Sequence, residues 1–103
     1  MTTNMDTDGK VAKYLGSVVS ATRSFYDMGK KRRLPGWDER HDGRAERLIN
    51  DAIDRKGRLE MGEMSMKEYE TLRSVVESEG FPVVVANVIG LGPVAKTNYP
   101  LDF

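Results

Sequence analysis

The sequence predicts a mainly α (α+β) single domain over residues 1–103: three helices, two of them in an antiparallel helical hairpin, and then a short C-terminal β-hairpin or edge strand. Three observations lead there. Apolar residues recur at three-to-four spacing through three stretches bounded by Gly, Pro or Ser. The last quarter holds instead a short Val-rich run, FPVVVANVI, between glycines. A chain of 103 residues with 39% hydrophobic and 31% charged composition has the size and balance of one domain with a modest core.

The first helix is expected at 9–29. Val11, Leu15, Val18 and Phe25 share one face, Asp8 is a candidate N-cap, and Gly29 followed by Lys and Arg reads as a C-terminal stop. Leu34-Pro35-Gly36 then breaks the chain, because proline disfavours helix in the residue before it. A second helix over 40–57 carries the stripe Ala45, Leu48, Ile49, Ala52 and Ile53, with Asp51–Arg55 and Asp54–Arg58 as i,i+4 pairs on its outer face. The third, over 65–79, opens on Ser65-Met66-Lys67-Glu68, the pattern of a reciprocal capping box, and buries Tyr69, Leu72, Val75 and Val76. The second and third helices are the expected hairpin pair. Residues 81–99 read as the β segment: a strand, the turn Gly90-Leu91-Gly92-Pro93, and a returning VAKTNY.

Composition removes several kinds of chemistry. Without cysteine there is no disulfide framework, no thiol nucleophile and no Cys-based zinc site. His41 sits among Asp38, Glu39 and Asp42, but a lone histidine makes neither a zinc centre nor a Ser-His-Asp triad, so no catalytic, cofactor or metal residue is expected. Gly90-Leu91-Gly92-Pro93 lacks the Lys and Ser/Thr of a P-loop. The N-terminus is polar and acidic, unlike a signal peptide, and the run Val83–Ala86 is too short to span a membrane. A cytoplasmic location, or one inside a viral or other assembly particle, is the corresponding expectation.

Formal charge is zero but unevenly spread. Residues 1–36 carry seven Lys/Arg against three Asp/Glu, and residues 37–80 carry eight against twelve. The densest cations, Lys30, Lys31, Arg32 and Arg33, precede Trp37. Such a cluster can contact phosphates, an acidic protein, or nothing but water beyond a helix C-terminus, where cations oppose the macrodipole. Trp37 suits either an interhelical plug or an interface anchor. Phe81, Val83 and Val85 would lie on an exposed strand edge, a template for pairing with another chain.

Two functional expectations follow. The first is a non-enzymatic interaction or assembly protein that self-associates or binds a protein partner through Trp37, Lys30–Arg33 and the Phe81, Val83, Val85 edge, a style that suits a small bacterial or phage accessory protein. The second is a nucleic-acid-binding regulator using Lys30–Arg33, because three helices followed by strand, turn and strand is the order of a winged helix. Against the second, the would-be recognition helix is rich in glutamate, with Glu68, Glu70, Glu77 and Glu79 against Lys67 and Arg73.

Overall fold

The computed structural model describes residues 3–78, 81–91 and 99–100, with side chains from Gly9 onward. Four helices follow one another: α1 (Thr3–Lys30), α2 (Glu39–Glu60), α3 (Met66–Val76) and α4 (Phe81–Ile89). The molecule measures 47 × 24 × 23 Å. At 1.5 Å per residue α1 alone is about 42 Å long, so it is the axis on which the rest is laid.

The mainly α class is as expected, but the hairpin is made by different helices. α1 and α2 form the extensive pair. They are antiparallel: Tyr26 reaches Glu46, and Gly16 lies against Lys56. Val11, Leu15, Val18, Leu48 and Ala52 are fully buried between them and their neighbours. Burying each Val or Leu contributes about 1.5–3 kcal/mol. α3 adds Leu72 and Val75 to this core, and its link to α2 runs through buried ion pairs rather than close backbone packing.

The strand expected at 81–89 is the helix α4. Pro82 sits in its first turn, where a missing N–H removes no intrahelical bond. Val84, Val85, Val88 and Ile89 are the buried residues, one helical face, whereas an alternating strand would bury Val83 and Val85 together. Val83 is 54% exposed and Val85 is 1% exposed, so the two point opposite ways. A run in which nearly every residue is apolar fits either period, and packing against α1 and α2 decides. The winged-helix order fails here for the same reason. The returning strand expected over 94–99 lies almost wholly outside the described residues; Tyr99 is in a bend.

Two helices end differently from the expectation. α1 runs through Asp8 and Gly9, so Asp8 is not a cap, and it continues past Gly29. α2 continues past Gly57. The actual stops are Schellman motifs, in which two consecutive N–H groups reach back to the last turn. At α2, Glu63 N–H donates to Arg58 and Gly62 N–H to Leu59; at α4, Leu91 donates to Ala86 and Gly90 to Asn87. Gly62 and Gly90 have φ of 73° and 91°, the left-handed region that glycine enters without strain. At α1 the same motif runs from Arg33 to Met28 and Arg32 to Gly29, and there a non-glycine residue, Arg32, takes the left-handed position at φ 60°.

Candidate interaction surfaces

The tip where α1 meets α2 gathers Trp37 and the basic stretch. Trp37 lies half-buried against Gly29; a Cβ on that glycine would fall inside the indole ring, which is why a glycine occupies the middle of the last turn instead of ending the helix. The indole N–H donates to Asp42 Oδ1 at 2.7 Å, and Lys30 Nζ holds the other oxygen of that carboxylate at 3.2 Å. These contacts hold the Asp42 carboxyl below its usual range, the indole bond foremost. Lys30 also lies over the Tyr26 ring, 5.4 Å from its centre. Lys31 pairs with Asp27 at 3.0 Å. Arg32 and Arg33 are exposed to solvent.

His41 completes the α2 N-terminus in an unusual capping box. Asp38 is the N-cap and accepts from the Arg40 N–H at 2.9 Å, while the Asp38 backbone N–H donates to His41 Nδ1 at 3.1 Å. In that bond Nδ1 is the acceptor, which places the ring hydrogen on Nε2. Asp38 Oδ1 also stands 3.0 Å from Nδ1, a contact that suits a hydrogen on Nδ1 instead; one nitrogen cannot serve both, and the backbone bond belongs to the cap. Arg40 is the main reason the Asp38 carboxyl titrates far below the ordinary range. At this end of the molecule, cations and carboxylates of the same chain are interleaved.

The second set of sequence-predicted residues lies elsewhere. Phe81 stands edge-on to Tyr14, with ring centres 5.0 Å apart. Tyr14 is 16 positions before Lys30, about 24 Å along α1, so the fold does not bring the two sets into one site. Val85 is core, and Val83 and the half-buried Phe81 remain at the surface.

A polar network that the sequence does not announce lies between α2 and α3. Arg55 is 2% exposed, not on the outer face; its Nε forms ion pairs with Asp51 at 3.2 Å and with Glu68 at 3.1 Å. Arg58 grips both oxygens of Glu68 and also holds Asp54 at 3.0 Å. Glu68 is thereby drawn away from the expected reciprocal cap: Ser65 Oγ accepts the Glu68 N–H at 3.2 Å, and the Glu68 carboxylate serves the arginines. Arg58 first, then Arg55, holds that carboxyl below its ordinary range against the opposing effect of burial. Tyr99 closes the network, donating to Asp51 at 2.8 Å with its ring over the Arg55 guanidinium. Burial pushes the Tyr14 and Tyr99 hydroxyls far above their usual range, so neither titrates near neutrality.

At the far end from Trp37, where α2 gives way to α3, a groove of about 350 Å³ is lined by Leu59, Met64, Met66, Tyr69, Glu70 and Arg73. Met66 is 69% exposed, and Met61, beside the groove residue Gly62, is 72% exposed; they are the most exposed large apolar side chains described. The clustering of Met61, Met64 and Met66 is visible in the sequence, and the groove comes from the turn that Gly62 permits. Among the described residues no His, Cys, Asp and Glu side chains are grouped as a metal site, and no helix is long and apolar enough to cross a membrane. Compared with known proteins, the chain matches no family model, no curated protein and no solved structure.

Proposed function

We propose that this chain is a non-catalytic assembly protein that pairs with a second copy of itself through the methionine-lined groove between α2 and α3. The observation that carries the reading is the exposure of Met66 and, next to Gly62, Met61 at a groove that Leu59, Met64 and Tyr69 line alongside the charged Glu70 and Arg73. Methionine is unbranched and polarizable, so it packs against a partner of irregular shape at low steric cost. Exposed large apolar groups beside a groove mark an interaction site more often than a solvated surface does.

The rim supports a second copy as the occupant. A two-fold interface places the same patch on both subunits, so the patch must complement itself. Glu70 and Arg73 both line the groove, and Glu63 and Lys67 are exposed on the same turn and helix. Mixed signs of this kind can pair across a two-fold axis, whereas a rim of one sign would repel its copy. Zero net charge removes long-range repulsion between chains as well. The nucleic-acid reading draws less support, because Asp42 and Asp27 already hold Lys30 and Lys31. Trp37 serves its own tip as a plug on Gly29 in this reading.

Size-exclusion chromatography with light scattering, at low and high salt, tests the proposal. The expected result is a mass above 11.6 kDa that carries only protein absorbance, persists in salt, and falls to one chain in Met61→Glu/Met66→Glu. A wild-type monomer at every concentration overturns it, and so does an assembly that the double variant leaves intact. A monomer carrying nucleic acid that salt strips away transfers the function to Lys30–Arg33.

A further inference from the structure

The groove and the turn beside it hold the most accessible sulfur among the described residues, and its chemistry goes beyond docking. With no cysteine, thioethers are the only oxidisable sulfur in the sequence. Met28 and Met64 are half-buried, while Met61 and Met66 stand most of the way out into solvent. Met61 is the C-cap of α2 and Met66 the first residue of α3, so one short turn carries both. Resting on the assembly reading above, we propose that Met61 and Met66 are a peroxide-modification site, and that their oxidation to sulfoxide releases the paired copy.

The step balances with hydrogen peroxide as the only co-reactant. A lone pair on the thioether sulfur attacks one peroxide oxygen, the S–O bond forms, and the O–O bond breaks. The proton on the transferred oxygen passes to the departing hydroxide, which leaves as water. Sulfur gives up two electrons, and peroxide is reduced. The product is a polar, chiral sulfoxide in place of a flexible apolar group, a change that disrupts methionine-rich interfaces and is reversed by methionine sulfoxide reductases. Neither side chain bears on the buried core, so the helices keep their packing while the groove loses its apolar mouth. The acidic and basic rim residues are untouched by the reaction, and a contact that had been apolar at its centre is left with a wet one.

The full-length chain is treated with hydrogen peroxide, oxygen uptake at each methionine is mapped by peptide mass spectrometry, and the assembly mass is followed by light scattering. Met61 and Met66 are expected to oxidise at least about fivefold faster than Met28 and Met64, in keeping with exposure. The mass should fall to one chain as they do, and methionine sulfoxide reductase should restore it. Met61→Leu/Met66→Leu should assemble and keep its mass through the same treatment. Oxidation of Met28 and Met64 at the same rate overturns the proposed site. An oligomer that survives sulfoxidation of both groove methionines, or a Leu variant that peroxide still dissociates, overturns the release while leaving the assembly reading in place. A starting monomer overturns the assembly reading and the release with it.

Discussion

Replacing Glu68 by Gln is the sharpest probe of how α3 is held. The substitution keeps the shape of the side chain and removes its charge. Glu68 pairs with Arg55 at 3.1 Å and accepts from both terminal nitrogens of Arg58, and only 9% of its side chain is exposed. Breaking a buried ion pair by deleting one partner costs about 3–5 kcal/mol when the remaining charge is stranded. Two features reduce that here. Asp51 still holds Arg55, and the Arg58 side chain is about a third exposed, so water takes over part of its solvation. The expected loss is about 2 kcal/mol, or roughly 2 M in urea midpoint for a domain of this size at an m value near 1 kcal/mol/M.

Acidity supplies a second arm of the same test. The folded-state pKa of Glu68 is depressed by its arginines, so its contribution is present above the unfolded carboxyl value near 4.3 and is lost as pH falls through the lower folded value. The gap between wild type and Glu68→Gln should therefore be widest at neutral pH and close in acid. Urea denaturation followed by circular dichroism reads both arms. A neutral-pH difference below about 0.5 kcal/mol, the size of an ordinary surface change, would show that α3 is held by its apolar face alone. A gap that stays constant into acid would place the loss in shape rather than charge.

Three further outcomes are expected. Gly29→Ala puts a methyl group into the Trp37 ring and should cost about 1–3 kcal/mol with a shift in tryptophan fluorescence, whereas Gly57→Ala meets nothing within 4 Å and should stabilise by about 0.5–1 kcal/mol; equal effects on thermal melting would contradict the placement of Trp37. Arg32→Gly relieves the left-handed backbone at the end of α1 and should gain about 1 kcal/mol, read as a higher melting temperature; a loss would mean that the arginine side chain does more there than the backbone demands. Val85→Thr should cost about 1–3 kcal/mol and Val83→Thr almost nothing, because only Val85 is buried; similar costs at both positions would favour the strand face over the helix.

The three amphipathic helices were legible because Leu15, Leu48 and Leu72 sit in patterns whose period is 3.6 and whose opposite faces are charged. Ser65 as the cap of α3 was legible too, but the ends of α1 and α2 at their glycines were not. A glycine after a helical run signals a stop only when the chain turns left-handed there; Gly29 is instead small enough to seat Trp37, and Gly57 has no such task. FPVVVANVI gave too little polarity to distinguish periods of two and 3.6, and tertiary packing chose the helix. The Arg55 network was hidden for a different reason. Asp51, Arg55 and Glu68 have the spacing of solvated surface charges, and only the approach of α3 and Tyr99 makes them interior. The methionine cluster was visible as a cluster, but its shape depends on the positive φ at Gly62.

The bond from Tyr99 to Asp51 also sets an order of events during synthesis. It spans 48 residues and covers an arginine that Asp51 of α2 and Glu68 of α3 already hold. Domains acquire structure from the N-terminus as they leave the ribosome. A nascent chain that has released α1 through α3 can pair α1 with α2 at once, yet it holds Arg55 with one side still wet. Tyr99 follows α1, α2 and α3 in the chain, so this domain reaches its final interior only after residue 99 has joined them.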